Sequence, residues 1–422
     1  MGKIAPCLVI LMLFFLQLSC SSFNGTRLEL KYIYSNGNLT KSELIHRALT
    51  GDKHRIASLR SASSASTTGA NLPIHWGSSA YITDFAIGTP AQSISVLVDT
   101  GSDLIWTQCK SCTTCFSQST PPYDPSQSST YKNLPCDNTL CTALPKYSCS
   151  PDCTYLYSYV GGTSTEGYLS TETFTLGSDA VPGMAFGCGI VNSDAPDNSS
   201  GILGLSRGDL SLVSQLGVGR FSYCLASYGD RSTSPLLLGS LANLSSSAIQ
   251  STPLVENPIA PFSSFYYLSL GGITIGNTLL PISSTAFELA ADGSGGLIID
   301  SGTTITYLID EAYQLVKQEF ITQMSDLQPV QVSGGLDLCF SVPAGTTSLS
   351  VPRMVFNFEG AEMRLPGNNY FFLDSDNGLL CLMMNSMEGI SIFGNYQQQN
   401  MHILYDVDNG LLSFEPAECN QL

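Results

Sequence analysis

Apolar and polar positions fall into one pattern that the chain writes twice. Ser95-Val96-Leu97-Val98 is an apolar run that ends on Asp99-Thr100-Gly101-Ser102-Asp103 and resumes as Leu104-Ile105-Trp106. Gly296-Leu297-Ile298-Ile299 ends on Asp300-Ser301-Gly302-Thr303-Thr304 and resumes as Ile305-Thr306-Tyr307. β-Branched runs bounded by turn formers read as buried strands. Each copy therefore delivers one carboxylate from a buried strand into a glycine turn. At a similar interval after each aspartate comes an apolar-apolar-glycine step, Ile202-Leu203-Gly204 and Ile392-Phe393-Gly394. Two such phrases, each with its follower, point to an internal duplication.

The alternating stretches predict further strands: Tyr81 to the Gly88-Thr89-Pro90 turn, 155–169 as a hairpin about Gly161-Gly162, 220–225, 236–238, and 265–276. Helical periodicity is confined to 310–324, with Asp310 and Glu311 at its positive end, and to short segments at 211–216 and 39–49. The last reads equally as part of a leader or as a surface helix. A Pro- and Ser-rich stretch at 252–264 is the expected linker between halves. The fold class is all-β, in two lobes.

Charge divides the chain. Lys3, an apolar run over 4–18 and Ser19-Cys20-Ser21-Ser22 form the pattern of a secretory signal, cleaved near 20–22; the run is shorter than the roughly 20 residues a membrane span needs. Residues 23–77 hold seven Lys/Arg and three acids, whereas residues 78–422 hold nine Lys/Arg and thirty-one acids. A basic leader on an acidic body can dock at neutral pH and loosen as carboxylates protonate, and the Ser/Ala/Thr run over 61–68 is the expected processing region. The predicted divisions are 1–22 signal, 23–70 propeptide, 71–258 first lobe and 259–422 second lobe. The body's acidity excludes nucleic acid as a partner, and the expected product is a secreted, extracellular monomer without a membrane anchor, the vacuole being the other destination. Asn24, Asn38, Asn198 and Asn243 begin glycan acceptor triplets.

Seven cysteines, Cys109, Cys112, Cys115, Cys136, Cys141, Cys149 and Cys153, crowd into residues 109–153. The spacing of the first three also suits zinc. Twelve cysteines remain once Cys7 and Cys20 leave with the signal, and behind an export signal an even set reads as disulfides. No metal or cofactor is expected.

Two carboxylates converging from buried strands are costly unless they share a proton, and such a pair titrates as a unit, leaving one acid and one base beside the same water. With these motifs the chain resembles the pepsin-type aspartic proteases, and in its cysteine-rich insert the plant nepenthesin-like branch, over about 30–419. The resemblance implies a bilobal fold, an endopeptidase made as a zymogen and active in acid, and catalysis by Asp99 and Asp300. It implies that Thr100, Gly101, Ser102, Ser301, Gly302 and Thr303 support the two loops, that Tyr159 is a flap tyrosine bonded by Trp106, and that Gly162 and Thr163 face a protein or peptide substrate. Relatives carry Gly-Asp after that tyrosine, where this chain has Val160-Gly161, so its flap contacts should differ. The pairings implied by resemblance are Cys109–Cys112, Cys115–Cys188, Cys136–Cys153, Cys141–Cys149, Cys224–Cys419 and Cys339–Cys381.

The alternative from another class is a protease-like fold kept as a silent binding or inhibitor protein, although the catalytic set here is complete. Serine or cysteine catalysis is the poorer alternative: the histidines are His46, His54, His75 and His402, three of them within the basic stretch 23–77, without a nucleophile motif.

Overall fold

The computed structural model describes residues 23–33, 39–63, 81–158, 164–193, 199–260, 262–332 and 335–422, with the backbone alone over 53–63. The signal, Asn38, Asn198, Tyr159 to Thr163 and most of the expected processing region lie outside the described residues.

Strand β1 (Gly25–Tyr32) buries Thr26, Leu28, Leu30 and Tyr32 and exposes Arg27 and Glu29, the two-residue period of a strand with one buried face. Helix α1 (Lys41–Ser63) follows. The predicted helical segment 39–49 is therefore only its first part, and the helix runs on to the start of the expected processing region at 61–68. Strand β2 (Tyr81–Ile87) returns antiparallel to β3 (Gln92–Asp99), whose last six residues are all buried.

The parallel partner of β3 is the strand Gly201–Gly204, in the register Val96↔Gly201 to Asp99↔Gly204. The second half repeats this: Leu297–Ile299 pairs in parallel with Ser391–Phe393. In each lobe one strand brings in the aspartate and the other lies beside it carrying the apolar-apolar-glycine step. A shared sheet joins the halves, in which Arg220–Cys224 pairs with Met401–Asp406, that with Leu411–Pro416, and that with Gln250–Val255. On the other flank Arg220–Cys224 pairs with Ser234–Gly239, which pairs with β1, and β1 pairs with β2. The N-terminal strand is thus built into the body's sheet. The fold is all-β and bilobal.

Two expectations need correction. The stretch 252–264 is not all linker: Gln250–Val255 is a strand that buries Thr252 and Leu254 in alternation, and that pairing overrides its Pro and Ser content. The disulfides also differ. All twelve cysteines are bonded, but the first-lobe pairs are Cys109–Cys188, Cys112–Cys115, Cys136–Cys149 and Cys141–Cys153, with Cys224–Cys419 and Cys339–Cys381 as implied. Strand register and burial explain the exchange. Strand β4 (Trp106–Gln108) runs parallel to Asp179–Ser193 with Thr107 opposite Cys188, so Cys109 emerges beside Cys188 and both are buried. Cys112 and Cys115 stay together on the outer loop, their Cα atoms 5.7 Å apart. Likewise the two fully buried cysteines, Cys141 and Cys153, join each other and leave Cys136 to the exposed Cys149.

In the second lobe the helix Asp310–Gln323 packs Ala312, Tyr313, Val316 and Phe320 inward and is capped at Met324, close to the expected span. Among the described residues, no helix is long and apolar enough to cross a membrane.

Candidate active site

Asp99 and Asp300 are both buried, at 0 % and 1 % exposure. An ionised carboxyl at that depth needs donors, and the two loops supply the same set. Gly101 N–H donates to Asp99 Oδ1 (3.0 Å) and Ser102 Oγ to Oδ2 (2.5 Å). Gly302 N–H donates to Asp300 Oδ1 (2.8 Å) and Thr303 Oγ1 to Oδ2 (2.6 Å).

The loops also hold each other. Thr100 N–H donates to Ser301 Oγ (3.1 Å) and Ser301 N–H to Thr100 Oγ1 (2.9 Å), while Ser301 Oγ reaches back to the Val98 carbonyl (3.2 Å). Six of the residues singled out in the sequence, Thr100, Gly101, Ser102, Ser301, Gly302 and Thr303, are therefore gathered around the two aspartates.

Beneath the loops the strand followers pass so closely that only glycine fits. A Cβ on Gly204 would lie 2.2 Å from the Asp103 carbonyl oxygen, and one on Gly394 would lie 2.4 Å from that of Ile305. Leu205 N–H bonds the Asp99 carbonyl (2.9 Å), and Asn395 N–H bonds that of Thr303 (2.8 Å).

A buried polar network under Asp300 was not anticipated from the sequence. Gln398 Nε2 donates to the Asp300 and Phe393 carbonyls, and Tyr223 OH donates to Gln398 Oε1 (2.6 Å) and lies 2.8 Å from Tyr405 OH. Burial pushes both phenols far up, and the nearby Asp300 adds to the effect, so they stay neutral donors. Asn395 Nδ2 holds the Ser301 carbonyl (2.9 Å). The run Asn395-Tyr396-Gln397-Gln398-Gln399 after Gly394 was the available signal: uncharged amides following a buried strand have to be satisfied inside.

A third carboxyl was also missed. Asp103 Oδ1 accepts from Ser206 Oγ and from Gly208 N–H (3.1 Å). Burial pushes its pKa up to about 6, with Asp209 and Asp99 adding to the rise and the Gly208 bond opposing it. Trp106 is fully buried, edge-on to Phe116 with ring centroids 6.1 Å apart; its expected flap partner lies outside the described residues.

His402 stands in the shared sheet, Nε2 3.1 Å from Ser222 Oγ and Nδ1 3.7 Å from Glu415. Ser222 is fully buried, so this row has no access for a substrate carbonyl, and burial lowers the His402 pKa. Among the described residues, no group of three or more His, Cys, Asp or Glu side chains is arranged to hold a metal.

Residues 81–240 match the family described as "Xylanase inhibitor N-terminal", and 265–416 match "Xylanase inhibitor C-terminal". The chain is 45 % identical over 399 residues to aspartic proteinase nepenthesin-1 of Nepenthes gracilis, covering 94 % of this chain and 90 % of that one. It is 44 % identical to nepenthesin-2 of the same plant, with the same coverage. Among solved structures, basic 7S globulin from soybean superposes with a TM-score of 0.67 at 18 % identity, over 94 % of this chain and 97 % of that one, a likeness of fold. With nepenthesin-like identity along nearly its whole length, the chain belongs to the pepsin-like aspartic proteases of the nepenthesin type and is an aspartic-type endopeptidase.

Proposed function

We propose that Asp99 and Asp300 are the catalytic pair, holding one water between them and sharing one proton. One carboxylate takes the water's proton as it attacks the scissile carbonyl, and the other carboxyl donates to the carbonyl oxygen. The observation that carries this reading is the matched set of donors: each aspartate has one oxygen on a glycine amide and the other on a hydroxyl, with the loops bonded across. Such donors favour the charged form, while a neighbouring carboxylate disfavours a second charge, so the pair keeps a single proton in acid. Asp99→Asn tests the assignment; kcat on a denatured protein should fall at least about 10³-fold with the folded structure retained.

Residues 1–22 act as a secretory signal and 23–70 as a propeptide, ahead of lobes at 71–258 and 259–422. In support, β1 lies within the body's sheet, and Leu44, Ile45, Ala48 and Leu49 of α1 are buried. Substrate contact is assigned to the flap residues Tyr159, Gly162 and Thr163, and the bond to the flap tyrosine to Trp106. The enzyme is a secreted monomer that cleaves proteins at acid pH, outside the cell or in the vacuole, with Asn24 and Asn243, both exposed, among its glycan sites.

The silent binding-protein alternative is favoured only by the name of the matched family. Both aspartates and all their hydroxyl partners are intact here. Removing the N-terminal segment and finding no cleavage at any pH would revive that alternative.

A further inference from the structure

Helix α1 opens with a reciprocal cap, Glu43 N–H on Thr40 Oγ1 (3.2 Å) and Thr40 N–H on Glu43 Oε2 (2.8 Å). Its buried stripe runs Leu44, Ile45, Ala48, Leu49 and then Asp52. Helical spacing thus puts a carboxylate where the next apolar residue belongs, at 1 % exposure. Its partners lie across the molecule: Oδ1 accepts from Thr304 N–H (2.8 Å) and Oδ2 from Ile305 N–H (2.9 Å).

Those amides directly follow Thr303, whose hydroxyl holds Asp300. The same loop is fixed from below, where Tyr396 N–H bonds the Thr304 carbonyl (2.8 Å). Strand β1 reaches it by another route. Tyr32 stacks on Tyr228 at 4.5 Å, Tyr228 OH donates to Asn395 Oδ1, and Asn395 Nδ2 donates to the Ser301 carbonyl.

Leu44, Ile45 and Leu49 pack the first half of the helix into the hydrophobic core. A cavity of about 550 Å³ lies beside the helix, lined by Lys41 and Ile45 together with Tyr228, Leu349, Phe371 and Tyr396. A buried carboxylate on two amides is a charge-assisted, directional contact, and removing it leaves two donors unsatisfied.

We infer that Asp52 is a latch: it grips the loop beside Asp300 and keeps the N-terminal segment seated, so that the uncleaved chain is silent. This rests on the reading of 23–70 as a propeptide.

The test uses the full-length precursor, wild type and D52N, at neutral pH before any cleavage. Two quantities are read: binding of a statine-type transition-state analogue, and hydrogen exchange at the Thr304 and Ile305 amides. Wild type should bind the analogue poorly. D52N keeps the shape but sets an NH₂ against an N–H, and should bind at least tenfold tighter with both amides exchanging at least tenfold faster. Equal silence and unchanged exchange in D52N would overturn the latch and leave the propeptide reading standing. If instead the wild-type precursor binds as tightly before as after cleavage of its N-terminal segment, the propeptide reading fails, and the latch with it. Both precursors yield the same body on forced cleavage, so recovered proteolysis reports that D52N folded. Should D52N not fold, D52E, which keeps the charge but displaces it, gives the same readings.

Discussion

At the scale of single residues, one hydroxyl donates to each aspartate, Ser102 to Asp99 and Thr303 to Asp300. Ser102→Ala and Thr303→Ala each remove a donor from one carboxylate, and a hydrogen bond to a charged group is worth about 1.5–3 kcal/mol net. Each change should raise the carboxylate's pKa, move the acid limb of kcat/KM to higher pH and cost about tenfold in rate at the optimum; a pH–rate profile of each variant checks this. Asp103 works in the opposite sense. Its folded pKa, about 6, lies above the ordinary carboxyl value of 3.8, so the folded state holds the proton more tightly and stability falls as pH rises from about 4 through 6. Asp103→Asn should therefore gain on the order of 2 kcal/mol over wild type at pH 7 and nothing below pH 4, read from urea midpoints at the two pH values. Asp99 and Asp300 were legible in the sequence because their turns and apolar frames are local and repeated. Asp52 and Asp103 were not, because a charged residue becomes buried only through partners distant in the chain: residues 304–305 for the first and 206–208 for the second.

At the scale of elements, the close crossings beneath the loops set the geometry. Gly204→Ala and Gly394→Ala each drive a methyl into a backbone carbonyl and should destabilise by at least about 3 kcal/mol, seen as a lowered urea midpoint and lost activity together. The apolar-apolar-glycine steps that hold these glycines were readable in the sequence, and the helix Asp310–Gln323 was readable from its period. The cysteine pairing was not readable, since it follows from the register of β4 against Asp179–Ser193 and from which sulfurs are buried, and spacing carries neither. Strand β1 was overlooked for a related reason: Arg27, Glu29 and Lys31 alternate with Leu28, Leu30 and Tyr32, and the basic composition masked a two-residue period that only its partners Ser234–Gly239 and β2 make into a strand.

At the scale of the whole molecule, the two lobes meet through a common sheet and through the bonds between the two aspartate loops. Cys224–Cys419 ties the tail to the first lobe across a sequence separation of 195. Replacing both cysteines by serine should cost about 2–5 kcal/mol and lower the thermal midpoint without changing the pH optimum. Everything functional converges on the claim that Asp99 and Asp300 act as one proton-sharing pair. The most direct measurement is cleavage of a denatured protein between pH 2 and 7 by the processed wild type, Asp99→Asn and Asp300→Asn, each with and without a statine-type transition-state analogue. A proton-sharing pair requires activity confined to acid in the wild type, abolished by the analogue and lost at least about 10³-fold in both variants. Substantial cleavage by either variant would contradict it.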